Sequence, residues 1–243
     1  MPVTLLVEDG AVRATQAFQP SCYSRLVNKW YCTDYLRDRH HDLTSALSQH
    51  LHITALSLVL GIVIAFPLAL LARRLPRLQG LILGASTMIY TIPSLALFPL
   101  LVPFTGISSN TVVIGLALYA LTILVRSMVA GLAGVPAEVR ESATGLGYGR
   151  TRLLFLVELP LALPVIMAGL RVATVSTVAL TTVGTLVSYG GLGNLISDGV
   201  QNNFKAEILA ASVLCVVLAV ALDALIVVLQ WLTTPWTHRR RTA

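Results

Sequence analysis

Residues 78–125 of the chain read LQGLILGASTMIYTIPSLALFPLLVPFTGISSNTVVIGLALYALTILV and contain no Asp, Glu, Lys or Arg. A helix that crosses the hydrocarbon core of a membrane needs about 20 mostly apolar residues, so this run is long enough for two crossings. Residues 103–110, PFTGISSN, are rich in turn-forming residues and provide the natural connection. The stretch therefore predicts two transmembrane helices, near 80–103 and 111–133.

The first of these two helices contains Pro93, Pro99 and Pro103. Because proline removes a backbone donor and bends a helix, we expect this span to be kinked or broken. The fold class that follows is an all-α integral membrane protein with five, or six, transmembrane helices. Three further apolar runs predict the remaining spans: 51–72, about 161–187 and about 208–232.

The composition excludes several classes of protein. Of the 243 residues, 56% are hydrophobic and 12% are charged, whereas an ordinary soluble domain has about 25% charged residues. A soluble globular enzyme, a disordered tail and a nucleic-acid-binding module are therefore all excluded. The net charge of +6 does not indicate a nucleic-acid partner, because residues 1–50 hold five basic and five acidic residues and the whole excess lies in the membrane-like part.

The basic residues predict the orientation, because cytoplasmic loops of membrane proteins are enriched in Lys and Arg. The loop after the first span, the loop 134–160 and the C-terminal tail hold nine Arg, whereas the loops 104–110 and 188–207 hold Lys205 alone. We therefore expect the loop 134–160 and the C-terminus in the cytoplasm, and five spans place the N-terminus outside.

This orientation divides the chain into three parts. Residues 1–42 form an N-terminal extension outside the membrane, and residues 43–236 form the transmembrane domain with its cytoplasmic loop at 135–160. Residues 237–243 form a basic cytoplasmic tail that includes three consecutive Arg. In the extension, Cys22 and Cys32 either form a disulfide in an oxidising compartment or remain unpaired thiols.

The chain shows no site for ATP or for a metal. The phosphate-binding pattern G-x-x-x-x-G-K-[ST] is absent around both lysines, Lys29 and Lys205. If transport consumes ATP, then ATP and Mg²⁺ bind to another polypeptide. The paired histidines are predicted to be solvated or interfacial near the outer surface, and residues 190–193, GGLG, are predicted to form a tight turn. These histidines are His40, His41, His50 and His52.

Three ionisable residues, Arg126, Arg171 and Asp223, lie inside predicted spans. A charge at the centre of a membrane helix costs about 2.5–3.5 kcal/mol on insertion scales, so such residues usually face a bundle interior or pair with one another. One interpretation is that both arginines extend to the inner headgroups. The other is that Asp223 pairs with Arg171 or Arg126 and fixes the helix packing near the inner mouth.

The cytoplasmic loop begins with VPAEVRESATGLG at 135–147. Pro136 suits the first turn of a helix and Gly147 suits its end, and a second short helix is predicted over 150–158, ending at Pro160. Two short helices joined through glycines form a compact knob with small side chains on one face. The alternative is a connector with turn glycines and no further role.

The loop resembles the coupling loop of binding-protein-dependent ABC importer permeases, whose pattern is E-A-A-x3-G-x9-I-x-L-P. Ser142 replaces the first Ala of that pattern and Val157 replaces the Ile. The resemblance implies a MetI-like permease architecture in a bacterial inner membrane, with the loop docked on separate ABC ATPase subunits. It also implies these coupling residues: Glu141, Ser142, Ala143, Gly147, Leu159 and Pro160.

The resemblance extends over about 30–236 and is greatest to the branch that imports quaternary-amine osmoprotectants: glycine betaine, carnitine, choline and proline betaine. It implies a second permease subunit, identical or related, and an extracytoplasmic binding protein. The alternatives are an ABC permease for amino acids or another small solute, a secondary carrier or channel without an ATPase, and a membrane scaffold. The segments that carry the resemblance are HLHITALS at 50–57, TIPSLALF at 91–98, YAL at 119–121, VR at 125–126 and GGLG at 190–193.

Overall fold

The computed structural model describes residues 21–237, and within this range every regular element is a helix. Residues 1–20 of the extension and Arg239, Arg240 and Arg241 of the basic tail lie outside the described residues. A π-helical turn at Leu154–Glu158 joins the helices Arg150–Leu153 and Leu159–Thr181, and 3₁₀ turns lie at Thr182–Val187 and Pro235–Thr237. The helices are α1 (Thr33–Asp38), α2 (His40–Arg74), α3 (Pro76–Thr91), α4 (Ser94–Thr105), α5 (Ser109–Ala133), α6 (Ala137–Gly145), α7 (Arg150–Leu153), α8 (Leu159–Thr181), α9 (Leu192–Gln201) and α10 (Lys205–Thr233).

Four continuous helices are long and apolar enough to cross a membrane: α2, α5, the 38-residue helix Arg150–Val187 and α10. The pair α3 and α4 is bent by 99° at its break and makes a fifth span. The prediction of a broken second span is confirmed, with the break at Pro93, which forces the preceding Ile92 into an extended conformation. Pro99 and Pro103, by contrast, lie within the continuous helix α4.

The packing of α5 shows that the bent pair returns the chain across the bundle. Ile53 of α2 packs with Val112 near the start of α5, and Ala72 belongs to the same cluster as Met128 near its end, so α2 and α5 run parallel. Along α3 and α4 the order is reversed, because Arg126 contacts Thr87 and Thr111 contacts Thr105. Five crossings result, and residues 21–237 provide no helix for a sixth.

Helix α5 lies at the centre of the bundle, and α10 lies at its periphery. In the most apolar stretch of each helix, 72% of the residues of α5 are buried, against 6% for α10. Close approach of α5 to α8 depends on small residues, since a Cβ on Gly131 would come 3.0 Å from the carbonyl oxygen of Ala162. The exposed apolar face of α10 is suited to lipid or to another subunit.

The elements define two ends of the bundle. The basic end contains the α2–α3 junction, residues 134–158 and the turn after α10, and six of the nine arginines counted for orientation lie there. The opposite end contains residues 21–39, the α4–α5 turn and residues 188–204. We call residues 21–39 the cap. This arrangement places the arginine-rich loops on one side, as the sequence predicts.

The cap is closed on itself by a disulfide and is held against the α9–α10 turn by hydrogen bonds. Cys22 and Cys32 are disulfide-bonded, with Cα atoms 5.7 Å apart. The side chain of Asn28 donates to the carbonyl of Asn203 at 2.7 Å and accepts from the backbone N–H of Lys205 at 3.1 Å. Of the two alternatives for these cysteines, a disulfide or unpaired thiols, the structure contains the disulfide.

His50 is not interfacial, and that expectation is wrong. Its side chain is fully buried between α2 and α8, and its Nε2 lies 3.1 Å from the carbonyl oxygen of Val178. The predicted tight turn at 190–193 covers it. Gly191 has φ +56°, and a Cβ there would lie 2.7 Å from the Cβ of His50. The glycine permits the approach that buries the histidine.

The interface between α5 and α8 provides a test of this packing. A Cβ on Gly169 would overlap the side chain of Ser127. We expect Gly169→Ala to destabilise the chain by about 1–3 kcal/mol, the usual cost of overpacking, measured as thermal unfolding in lipid nanodiscs. Adding Ser127→Gly should restore part of the loss.

Gly80→Ala is the matched control, because Gly80 lies in α3 and no atom lies within 4 Å of a Cβ built there. We expect this variant to be unchanged or stabilised by up to about 1 kcal/mol, since alanine is the better helix former. Equal destabilisation by both variants would show that the interface is not closely packed at Gly169.

Candidate functional site

The loop at the basic end contains a short, well-terminated helix, α6. Glu138 lies in its first turn, where a carboxylate is favoured by the helix dipole. At its end the N–H of Tyr148 bonds to the carbonyl of Ala143 at 3.1 Å, and the N–H of Gly147 bonds to that of Thr144 at 2.9 Å. This is the Schellman pattern, and it requires the left-handed conformation that Gly147 adopts, with φ +86°.

Four of the expected coupling residues lie on α6 or its terminating turn. Glu141, Ser142 and Gly147 are exposed, whereas Ala143 is buried. Leu146, beside them, is 79% exposed. Helix α6 therefore forms an exposed knob of carboxylates, small residues and one large apolar side chain. A concavity of about 420 Å³ lies along it and is lined in part by Glu138, Ser142 and Val157.

The expectation of a second short helix ending at Pro160 is wrong. Helix α7, the π turn and α8 form one continuous helix, and Leu159 and Pro160 lie inside it. The N–H of Leu159 bonds to the carbonyl of Leu154, five residues back. Because a π turn shifts the hydrogen-bonding register by one residue, the missing donor of Pro160 is accommodated without a break. Residues 150–158 of the loop are thus helically continuous with the fourth span.

Sequence reasoning missed the buried ion pair between Arg73 and Glu158. Glu158, at the end of the π turn, is fully buried, and its Oε1 accepts a hydrogen bond from Arg73 in the last turn of α2. Its other oxygen, Oε2, has no hydrogen-bond partner among the described residues. The sequence feature that could have indicated the pair is a single acidic residue, Glu158, within the apolar run LLFLVELPLAL at 153–163. The pair fixes the first span to the start of the fourth.

Inside the spans, Arg171 of α8 and Asp223 of α10 form a bidentate ion pair. The guanidinium Nε and Nη2 each lie 2.8 Å from a carboxylate oxygen of Asp223. Arg126 does not join them, and instead its Nη2 donates to the hydroxyl of Thr87 at 2.7 Å. The side chains of Arg171 and Asp223 are 40% and 30% exposed, so the pair faces the periphery of the single chain.

Potential metal ligands come together at one place among residues 21–237, where Cys22, Cys32 and Asp34 are within 4.8 Å of one another. Both sulfurs belong to the disulfide, and a metal would require thiolates. The donor chemistry of this group does not fit a metal ion.

A five-span helical bundle, a broken second span and an exposed helical knob at the basic end define the class of a membrane-embedded transporter subunit. The chain belongs to the family of binding-protein-dependent transport system inner membrane components, whose sequence model matches residues 57–239. It is therefore a multi-pass inner-membrane permease component of a transport system.

Relatives and solved structures agree with this assignment. The chain is 35% identical over 206 residues to the osmoprotectant import permease protein OsmW of Salmonella typhimurium, covering 83% of this chain and 96% of the relative. It is 31% identical over 201 residues to the carnitine transport permease protein OpuCB of Listeria monocytogenes, covering 83% and 92%. The inward-facing methionine ABC transporter MetNI matches with a TM-score of 0.72 at 20% identity, covering 81% of this chain and 98% of that one, and this establishes the MetI-like fold.

The buried ion pair at the basic end leads to a stability prediction. Arg73→Ala leaves the buried carboxylate of Glu158 unpaired, which costs about 3–5 kcal/mol, and should lower the unfolding temperature in nanodiscs sharply. Adding Glu158→Gln should recover part of the loss, because the uncompensated charge is removed.

Arg74→Ala serves as the control, since Arg74 is the exposed neighbour of Arg73 in the same helical turn. It should change stability by no more than about 0.5 kcal/mol. If Arg73→Ala and Arg74→Ala behave alike, the pair does not hold the two spans together.

The intramembrane pair leads to a charge-exchange prediction. Arg171→Asp or Asp223→Arg alone places like charges together, and each should reduce the amount of folded protein in the membrane. The double exchange should restore much of the folded protein, since an arginine at position 223 can then pair with an aspartate at position 171. Combining Asp223→Arg with Arg126→Asp should restore nothing, because Arg126 contacts Thr87 instead. Equal recovery in both doubles would contradict the assigned pairing.

Proposed function

We propose that this chain is the permease subunit of an ATP-driven ABC importer for a small osmoprotectant such as glycine betaine, carnitine, choline or proline betaine. The observation that carries the proposal is the exposed α6 knob, with its Gly147 turn, on a chain whose family membership is established. Several relatives that match most of the chain are named for transport of carnitine, choline or glycine betaine. The proposed solute class rests on the names of these relatives.

The proposed orientation has the basic end in the cytoplasm and the cap outside. Two independent features support it. The arginine-rich loops share one end of the bundle, as the positive-inside rule requires. The disulfide of the cap lies at the opposite end, where an oxidising exterior would maintain it. The N-terminus is then outside and the C-terminus inside.

The ATPase subunits would dock on the α6 knob, and they would bind ATP and Mg²⁺, so this chain needs no cofactor. In this proposal the exposed Glu141, Ser142 and Gly147 form the docking surface, and the buried Ala143 supports it from beneath. Leu159 and Pro160 act differently, because they lie in the rigid helix that leads from the knob into the membrane.

Movement of the α6 knob would be transmitted to two spans at once, α2 and α8. The helix Arg150–Val187 carries it directly into the fourth span, and the ion pair between Glu158 and Arg73 carries it to α2. Closure of the ATPases would therefore rotate α2 and α8 together and alternate the inward and outward openings, a rigid-body transition. A second permease subunit would complete the pathway, and an extracytoplasmic binding protein would deliver the solute at the cap end.

A second candidate function keeps the importer and changes the solute to an amino acid. The observation that favours it is the fold, since the solved structures that match include a methionine transporter and another amino acid transporter. Competition assays separate the two. Uptake inhibited by excess quaternary amine supports the osmoprotectant importer, whereas uptake inhibited by excess amino acid supports the second candidate.

The Gly147 turn provides the test of coupling. Gly147→Val forces a β-branched residue to φ +86°, at a cost of about 1–3 kcal/mol, although the space around it is open. We expect uptake of labelled glycine betaine in proteoliposomes containing the ATPase to fall roughly 5- to 150-fold. The amount of inserted permease should stay the same.

Gly149→Val is the matched control, because Gly149 is also exposed and unobstructed but has an extended backbone with φ −68°. It should retain uptake. Uptake that persists when the ATPase is omitted would overturn the proposal in favour of a secondary carrier. Equal uptake by both glycine variants would show that the turn has no part in coupling.

A further inference from the structure

A cavity of about 850 Å³ lies between the cap and the α9–α10 turn, at the end opposite the α6 knob. This volume is within the range of small-molecule sites in proteins, about 300–1,000 Å³. Its wall comes from the N-terminal segment on one side and from the start of α10 on the other. The cavity is therefore formed only when the cap is docked.

One side of the cavity is aromatic. Tyr23, Tyr35 and Phe204 pack together, with ring centroids 5.2–6.2 Å apart. Tyr35 is buried beneath the other two, while Tyr23 and Phe204 are partly exposed and tilted by 32° to each other. The hydroxyl of Tyr23 donates to Asp38 at 2.9 Å, and this hydrogen bond raises the pKa of that phenol. Aromatic faces in this arrangement attract organic cations.

The charges that line the cavity leave one acid and one base without partners. Arg39 and Asp42 form an ion pair at 2.9 Å. Glu207, half-buried in the first turn of α10, has no hydrogen-bond or ion-pair partner within residues 21–237, and the same is true of the exposed Arg25. The cavity therefore offers an anion beside an aromatic surface and a cation on its outer side.

We propose that this cavity binds a zwitterionic quaternary amine, with its trimethylammonium group against Tyr23, Phe204 and Glu207 and its carboxylate toward Arg25. The inference rests on the proposed function for its solute class and adds a binding site on the permease itself. Glycine betaine and carnitine carry both charges, whereas choline lacks the carboxylate and should bind more weakly. The site places the solute at the cap end before it enters the bundle.

Equilibrium binding to the full chain in lipid nanodiscs tests the site, with three probes. Glycine betaine has both charges, tetramethylammonium has the cation alone, and 3,3-dimethylbutanoate has the shape of glycine betaine without the positive charge. We expect saturable binding of glycine betaine and about tenfold weaker binding of 3,3-dimethylbutanoate, since the latter lacks the cation that contacts the aromatic rings.

Charge-neutralising variants assign the two groups. Glu207→Gln should weaken glycine betaine and tetramethylammonium alike, roughly tenfold. Arg25→Gln should weaken glycine betaine several-fold and leave tetramethylammonium unchanged. Glu138→Gln is the matched control, because it removes one exposed carboxylate at the basic end, away from the cavity, and its binding should equal that of the unaltered chain.

The inference is overturned if the unaltered chain shows no saturable binding of glycine betaine, or if Glu207→Gln binds it as tightly as Glu138→Gln does. Uptake in proteoliposomes with the ATPase and the binding protein distinguishes this failure from failure of the proposed function. ATPase-dependent uptake without binding to the isolated permease refutes the cavity and leaves the importer in place. Binding of glycine betaine to the permease without ATPase-dependent uptake refutes the importer and leaves the binding site in place.

Discussion

The absence of water in the hydrocarbon core governs this structure, because every backbone polar group there must find a partner within the protein. Continuous helices satisfy this requirement by themselves, and the informative place is the break between α3 and α4. There the hydroxyl of Tyr119 donates to the carbonyl of Ile92. The hydroxyl of Thr122 donates to the carbonyl of Ser86, within the preceding helix α3, at 2.6 Å. Helix α5 thus supplies hydrogen-bond donors to the broken span. This contact is consistent with the central position of α5 in the bundle.

The features that depend on length and backbone chemistry could be predicted from sequence. The spans follow from apolar runs of about 20 residues, the break follows from Pro93, and the end of α6 follows from Gly147. The tight turn at 190–193 was also correctly located from its glycines. Each of these depends on a local property that one residue or one short run determines.

Features that depend on partners distant in sequence were not predictable. Glu158 is stabilised by Arg73, 85 positions earlier, and no periodicity relates the two. His50 is buried because the turn at Gly191 folds over it from the other side of the bundle. For Asp223, the sequence left Arg171 and Arg126 as alternative partners, since all three residues are predicted in the same half of the membrane and only the facing of the helices decides between them. The continuity of the helix through Pro160 depends on a π turn, which has no reliable sequence signal.

The tie between Asn28 and Asn203 spans 175 positions of the chain. A segment made near the start of synthesis therefore meets its partners only after four of the five spans have been made, because Asn203 lies directly before the last membrane helix. Because contacts between distant positions form late, synthesis of this segment and its final attachment are separated in time. Assembly of the cap is thus completed by residues that emerge shortly before the last span.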